Sequence, residues 1–223
     1  MPKSTRFAAA FLCAALMAGP LAAQGFEGAV AYKMTDEKGK VTEMVMSMKG
    51  SRLRTDLVGE GQPMKMLIDG QAQWMKMLMS EQKMYMSMDL KAMKEKSKKH
   101  GPPKITALGT TETIAGRSCE NYRVETDDSK NEFCNTKGLG NFLSPHNPMG
   151  GGPSNGLTEL DDEIYRSYFK DGFFPLRVTE LKGDKRRVVM EATRVEPKSL
   201  DASYFEVPAG FTEMKMPGMG PRP

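Results

Sequence analysis

The sequence predicts a mainly β protein, one curved antiparallel sheet of half-barrel form with about two helices packed against it. Three observations predict it. Apolar residues recur at every second position through most of residues 26–89, short turn signals punctuate that stretch, and two helix-period segments occur elsewhere in the chain.

Taken in order, Phe26, Val30, Tyr32 and Met34 lie on one face of a first strand, and residues 36–39 form a turn. Met44, Met46 and Met48 then share a face of a second strand. Lys49-Gly50 leads into a strand at 51–58, and residues 59–61 turn the chain into 64–68. Asp69-Gly70 marks a hairpin. Strands at 71–79 and 83–88 follow, giving about six short strands in an up-and-down meander that must curve strongly. Residues 89–99 read as a Lys-rich helix capped by Asp89, with Leu90 and Met93 apolar, and Gly101-Pro102-Pro103 stops it. Further strands are expected at 105–114, 119–126 and 131–135. Residues 144–156 read as a loop, and Leu157, Leu160, Ile164 and Tyr168 mark one face of a second helix reaching Phe169. A closing hairpin is expected at 173–181 and 186–194, around Gly183-Asp184.

The ends set the expected compartment. Lys3 and Arg6 precede an apolar run at 7–17, and Gly19-Pro20-Leu21-Ala22-Ala23 supplies a helix break and small residues, so residues 1–23 read as an export signal cleaved near Ala23. The run is shorter than the ~20 residues of a spanning helix. Cys13 follows Phe11-Leu12, which is no lipid-attachment context. A periplasmic or secreted single domain at 24–212 is expected, with residues 213–223 a disordered Met, Gly and Pro tail.

Loss of the signal leaves Cys119 and Cys134, an even number in an oxidising compartment and hence an expected disulfide. The alternative, a redox or metal pair, has no close CxxC spacing to support it, and His100 and His146 are the only histidines.

Net charge is +4 with 32 basic against 28 acidic residues, and Lys3 and Arg6 leave with the signal, so no nucleic-acid footprint exists. Charged residues at 27% of mixed sign argue against wholesale disorder, and a mean hydropathy of −0.49 excludes a multi-span helical membrane protein.

Enzyme signals are poor. The chain has no Gly-x-Ser-x-Gly, no His-Glu-x-x-His and no phosphate-binding Gly loop; Gly150 to Pro153 lacks the following Lys. Glu159, Asp161, Asp162 and Glu163 suit the start and solvated face of the second helix. No catalytic residue and no cofactor is expected.

The outlier is Met, at 20 residues. Eleven of them, Met44, Met46, Met48, Met64, Met66, Met75, Met77, Met79, Met84, Met86 and Met88, fall at alternate positions of four strands and so form one surface. As plain core it needs no function, since any half-buried sheet alternates. Packing surfaces favour stiffer side chains, however, and Met suits adaptable apolar binding. On that ground the surface is expected to bind a lipid or other hydrophobic small molecule, with the 157–169 helix as lid and the lysines of 91–99 as rim, unless these are simply a solvated face. The other reading is Cu(I), for which thioethers are soft ligands, joined by Met214, Met216 and Met219 of the tail. An oxidation sink is a third.

Four phrases together resemble the bacterial domain-of-unknown-function 4412 family. They are Phe26-Glu-Gly-Ala-Val-Ala-Tyr32, Lys49-Gly-Ser-Arg-Leu-Arg-Thr-Asp56, Gly109 with Thr113-Ile-Ala-Gly-Arg-Ser-Cys-Glu-Asn-Tyr122, and Leu200-Asp-Ala-Ser-Tyr-Phe-Glu-Val-Pro-Ala-Gly-Phe211. The resemblance implies a periplasmic protein with a curved sheet similar to that of the lipoprotein carrier LolA, a half-barrel that cups acyl chains under a helical lid. It implies no activity and no catalytic residues.

Overall fold

The computed structural model describes residues 25–58, 63–92, 103–127, 129–140, 168–169 and 172–215. They form one large, curved, open sheet of twelve strands. In chain order the strands are β1 (Gly28–Thr35), β2 (Val41–Lys49), β3 (Arg52–Val58), β4 (Met64–Asp69), β5 (Trp74–Met79), β6 (Met84–Asp89), β7 (Lys104–Ile114), β8 (Arg117–Glu125), β9 (Lys130–Thr136), β10 (Phe174–Lys182), β11 (Lys185–Pro197) and β12 (Thr212–Glu213). Their order across the sheet is β12-β6-β5-β4-β3-β2-β1-β11-β10-β9-β8-β7.

Two meanders therefore meet at a central seam. The first runs outward from β1 to β6 by antiparallel neighbours, the second inward from β7 to β11, and β1 pairs antiparallel with β11 from Gly28 opposite Pro197 to Met34 opposite Met190. Gly28 is required at the seam, because a Cβ there would lie 2.2 Å from the Glu196 carbonyl oxygen. The β4–β5 turn is built by Asp69, whose Oδ1 accepts the N–H groups of Gln71 and Ala72 at 2.9 Å each. Residues 71–73, expected from the sequence to begin the strand, are thus turn, and β5 starts at Trp74.

Pro175 interrupts the β9–β10 ladder because it has no N–H to donate, and the register shifts there. The buried phenol of Tyr32 donates to the Pro175 carbonyl oxygen at 3.1 Å, which ties β1 to β10.

The two packed helices expected from the sequence are not supported. Among the described residues the helical ones are 90–92, Tyr168 and a short 3-10 helix, Ala202–Phe205. Asp89 does act as a cap, accepting from Lys91 N–H at 2.7 Å, but most of the expected 89–99 and 157–169 segments lies outside the described residues. Among the described residues the apolar side chains of both meanders form one contiguous cluster with each other, from Met44 and Met77 to Phe133 and Phe174.

Beyond Pro197 the chain becomes a strap across the face opposite that cluster. Leu200 N–H donates to Glu27, Tyr204 of the 3-10 helix meets Arg54 of β3, and the strap ends as β12, paired parallel with β6 at Thr212–Met84 and Glu213–Tyr85. Leu67 and Leu78 on this side, and Phe205 of the strap, are all buried. The strand takes in Glu213, the first residue of the expected disordered tail, because its backbone satisfies the open edge of β6; residues 216–223 lie outside the described residues.

Candidate functional site

The strand register turns the Met residues into three rows across β2 to β6. The first row is Met44, Leu57, Met64, Met79 and Met84; the second is Met46, Thr55, Met66, Met77 and Met86; the third is Met48, Leu53, Ile68, Met75 and Met88. Directly opposed residues on one face have Cβ atoms about 5 Å apart, so each row is a continuous band of side chains. All eleven expected Met residues are thus brought to one face. The sequence pattern missed that β3 completes each row without Met, although Leu53, Thr55 and Leu57 carry the same period of two.

The rows differ in access. In the second row every side chain is buried, Met46 at 0% and Met86 at 7% exposure, and Met44, Met48, Met66, Met75 and Met77 are buried as well. Met64, Met79, Met84 and Met88 are half-buried, as is Leu57. Three of those four Met residues lie in the first row, which makes the Leu57–Met64–Met79–Met84 segment the rim of the surface. Met214, following β12, packs against the same cluster and donates its N–H to the Tyr85 carbonyl at 2.7 Å. Met216 and Met219 lie outside the described residues.

One polar atom stands within the second row. Thr55 is 1% exposed between Met46 and Met66, and its hydroxyl has no hydrogen-bond partner. Buried hydroxyls are nearly always paired, so this one marks a place where the apolar face is chemically incomplete.

The cluster continues from Met to aromatic side chains in the second meander. Tyr122 meets Phe169 edge-on at 4.7 Å between ring centroids, Phe169 meets Phe173 at 4.8 Å, and Phe173 meets Phe133 at 5.5 Å. Phe169 is the one buried residue described from the expected lid helix. Of the expected basic rim, Lys91 is exposed, and residues 93–99 lie outside the described residues, as do His100, His146 and the acidic group at 159–163.

The opposite face of β7 to β11 carries a charged cleft of about 300 Å³ lined by Glu112, Arg123, Glu132, Cys134, Arg177 and Arg186 among others. Its charges satisfy one another. Arg123 donates to Glu132 at 2.7 Å, Arg186 also bonds Glu132, and Arg177 bonds Glu112. Burial pushes the Glu132 carboxyl up, and the bonds from Arg186 and Arg123 outweigh it, leaving it below its ordinary range. Cys119 and Cys134 form a disulfide between β8 and β9, as the cysteine count predicts. Among the described residues no group of three or more His, Cys, Asp and Glu side chains is arranged to hold a metal ion.

Three of the four phrases singled out in the sequence converge on the strap. Glu27 accepts from Leu200 N–H at 2.6 Å and Lys49 Nζ at 3.0 Å, and both hold its carboxyl below the ordinary value, Leu200 the more. Arg54 forms a fork with Asp56 at 2.8 and 2.9 Å and donates to the Tyr204 carbonyl at 3.1 Å. These contacts tie the strap to Glu27, to Lys49 of β2 and to Arg54 of β3.

The family described as Domain of unknown function (DUF4412) has a model that matches residues 26–211. No curated protein matches the chain. Among solved structures, one of PNGF-II is similar over 85% of this chain at 13% identity, with a TM-score of 0.49, and the chain spans 31% of that structure's length.

Proposed function

The chain belongs to the DUF4412 family, and from that premise we propose that it is a non-catalytic exported protein, periplasmic in location, that binds a lipid or other hydrophobic ligand on its Met-rich face. The observation that carries this reading is the set of three Met-bearing rows, closed at their centre and half-open along Leu57, Met64, Met79 and Met84. Flexible thioethers let such a face adapt to an acyl chain where branched side chains would hold one shape. A LolA-like half-barrel is the arrangement that this reading favours, with the curved sheet as the cup. The strap ties the outer side of the sheet, and a ligand would meet the inner face from the half-open Leu57–Met64–Met79–Met84 rim.

Native mass spectrometry of protein purified from a bacterial periplasm, beside the same sample denatured, tests the proposal. A heterogeneous lipid-sized excess lost on denaturation is the expected result. A bare polypeptide mass, two hydrogens light for the disulfide, removes the support for ligand binding.

Cu(I) binding is a second reading, favoured by the register that places Met66, Met77 and Met86 on three successive strands directly opposite one another. Replacing Met46, Met77 and Met86 together by Leu separates the two. Each swap nearly conserves volume and costs under about 1.5 kcal/mol, so the lipid excess should persist while copper binding is lost.

A further inference from the structure

We infer that the ligand of the Met face carries a carbonyl oxygen with hydrocarbon on both sides, as in a fatty ester, and that the Thr55 hydroxyl is the group that recognises it. The inference rests on the ligand reading given above and narrows it to a chemical class. Thr55 is buried to 1% exposure and its Oγ1 has no partner, whereas its neighbours across the sheet are Met46 and Met66. Leu53 and Leu57 are the residues two positions away on the same strand face. In every direction along the face the nearest side chains are therefore apolar, and a hydrogen-bonding group that reaches Thr55 must itself be embedded in hydrocarbon.

The chemistry selects among oxygen groups. A carboxylate placed there would have to leave water with its charge uncompensated, which apolar surroundings do not permit. A ligand hydroxyl brings a donor of its own, and of the two hydroxyl hydrogens then present one stays unpaired. A carbonyl brings only acceptor capacity, so the Thr55 O–H donates to it and no donor is left over. The second row is closed in the empty protein, so the ligand enters from the half-open Leu57–Met64–Met79–Met84 rim and parts the flexible Met side chains to bring its carbonyl to Thr55, one hydrocarbon arm lying toward that rim and the other toward Leu53, Ile68 and Met75.

The test compares hexyl decanoate with heptadecane, an alkane of matched length, on the full purified chain stripped of bound lipid, using equilibrium partition and native mass spectrometry. Loss of the one hydrogen bond is expected to weaken ester binding about tenfold relative to the alkane in Thr55→Val, which keeps the shape and removes the donor. Thr55→Ser keeps the donor and should retain the wild-type ratio of the two affinities. If Thr55→Val leaves that ratio at its wild-type value, the carbonyl assignment is overturned while hydrophobic binding stands. Binding of neither probe by the wild type overturns the underlying reading and this inference with it. A thermal melt of each variant shows that it is folded before its binding is scored.

Discussion

The guanidinium of Arg54 in β3 lies 4.0 Å from the centre of the Tyr204 ring, and the same side chain donates to the Tyr204 carbonyl oxygen at 3.1 Å. Residues 150 positions apart are thus joined by a planar cation stacked on an aromatic ring, with Asp56 accepting the remaining fork of the guanidinium. Lysine offers neither the flat stack nor the fork. Arg54→Lys should therefore cost about 1–2 kcal/mol in urea unfolding and make residues beyond 197 the first to be cut in limited proteolysis. Unchanged stability and an unchanged cutting pattern would show that the strap is held elsewhere.

The disulfide gives a second prediction. Cys119 and Cys134 are 15 residues apart, and closing a loop of that length restricts the unfolded chain by about 3 kcal/mol. Reduction should lower the melting temperature by roughly 6–12 °C for a domain of this size. The double variant Cys119→Ser, Cys134→Ser should melt at the reduced temperature and show no further response to reductant, which separates loss of the bond from side effects of the reagent.

Local chemistry explains what the sequence could disclose. The strands from β1 to β6 are short antiparallel neighbours, so the period of two and the Asp69-Gly70 turn suffice to place eleven Met residues on one face. The β1–β11 seam joins Gly28 to Pro197, and no local signal encodes a pairing over that separation. The role of Thr55 was hidden for a different reason. An alternating pattern says that position 55 faces inward with Leu53 and Leu57, but only the surrounding side chains show that its hydroxyl has no partner. Arg54 and Tyr204 belong to phrases visible in the sequence, yet their contact exists only once the strap crosses β3.

Glu132 sets a pH dependence. Its carboxyl is held below its ordinary value of 4.5 because bonds from Arg186 and Arg123 outweigh the effect of burial. A carboxylate with a depressed folded-state pKa contributes stability that is fully present above 4.5 and is lost as pH falls through the lower folded value. Urea unfolding at pH 7 and at progressively lower pH should show this loss in the wild type. Glu132→Gln should be less stable at pH 7 by about 1–3 kcal/mol and decline less steeply on acidification. Parallel curves for the two proteins would mean that other carboxylates carry the acid sensitivity.

Thr55→Val has an effect on the empty protein opposite in sign to most core substitutions. A buried hydroxyl without a partner loses its hydration on folding and regains nothing, at about 1–3 kcal/mol. Valine has the same branched shape, suits a strand equally well, and carries no group to desolvate. Lipid-stripped Thr55→Val should therefore unfold at a higher urea concentration than the wild type, with the slope of the transition unchanged because the surface exposed on unfolding is the same. Thr55→Ser retains the hydroxyl and removes a methyl from a closed row, so it should be less stable than the wild type by about 1 kcal/mol. The pair fixes the cause. A Val variant less stable than the wild type would mean that the hydroxyl contributes favourably to the empty fold, and the face would then have no unmet hydrogen bond to offer a ligand.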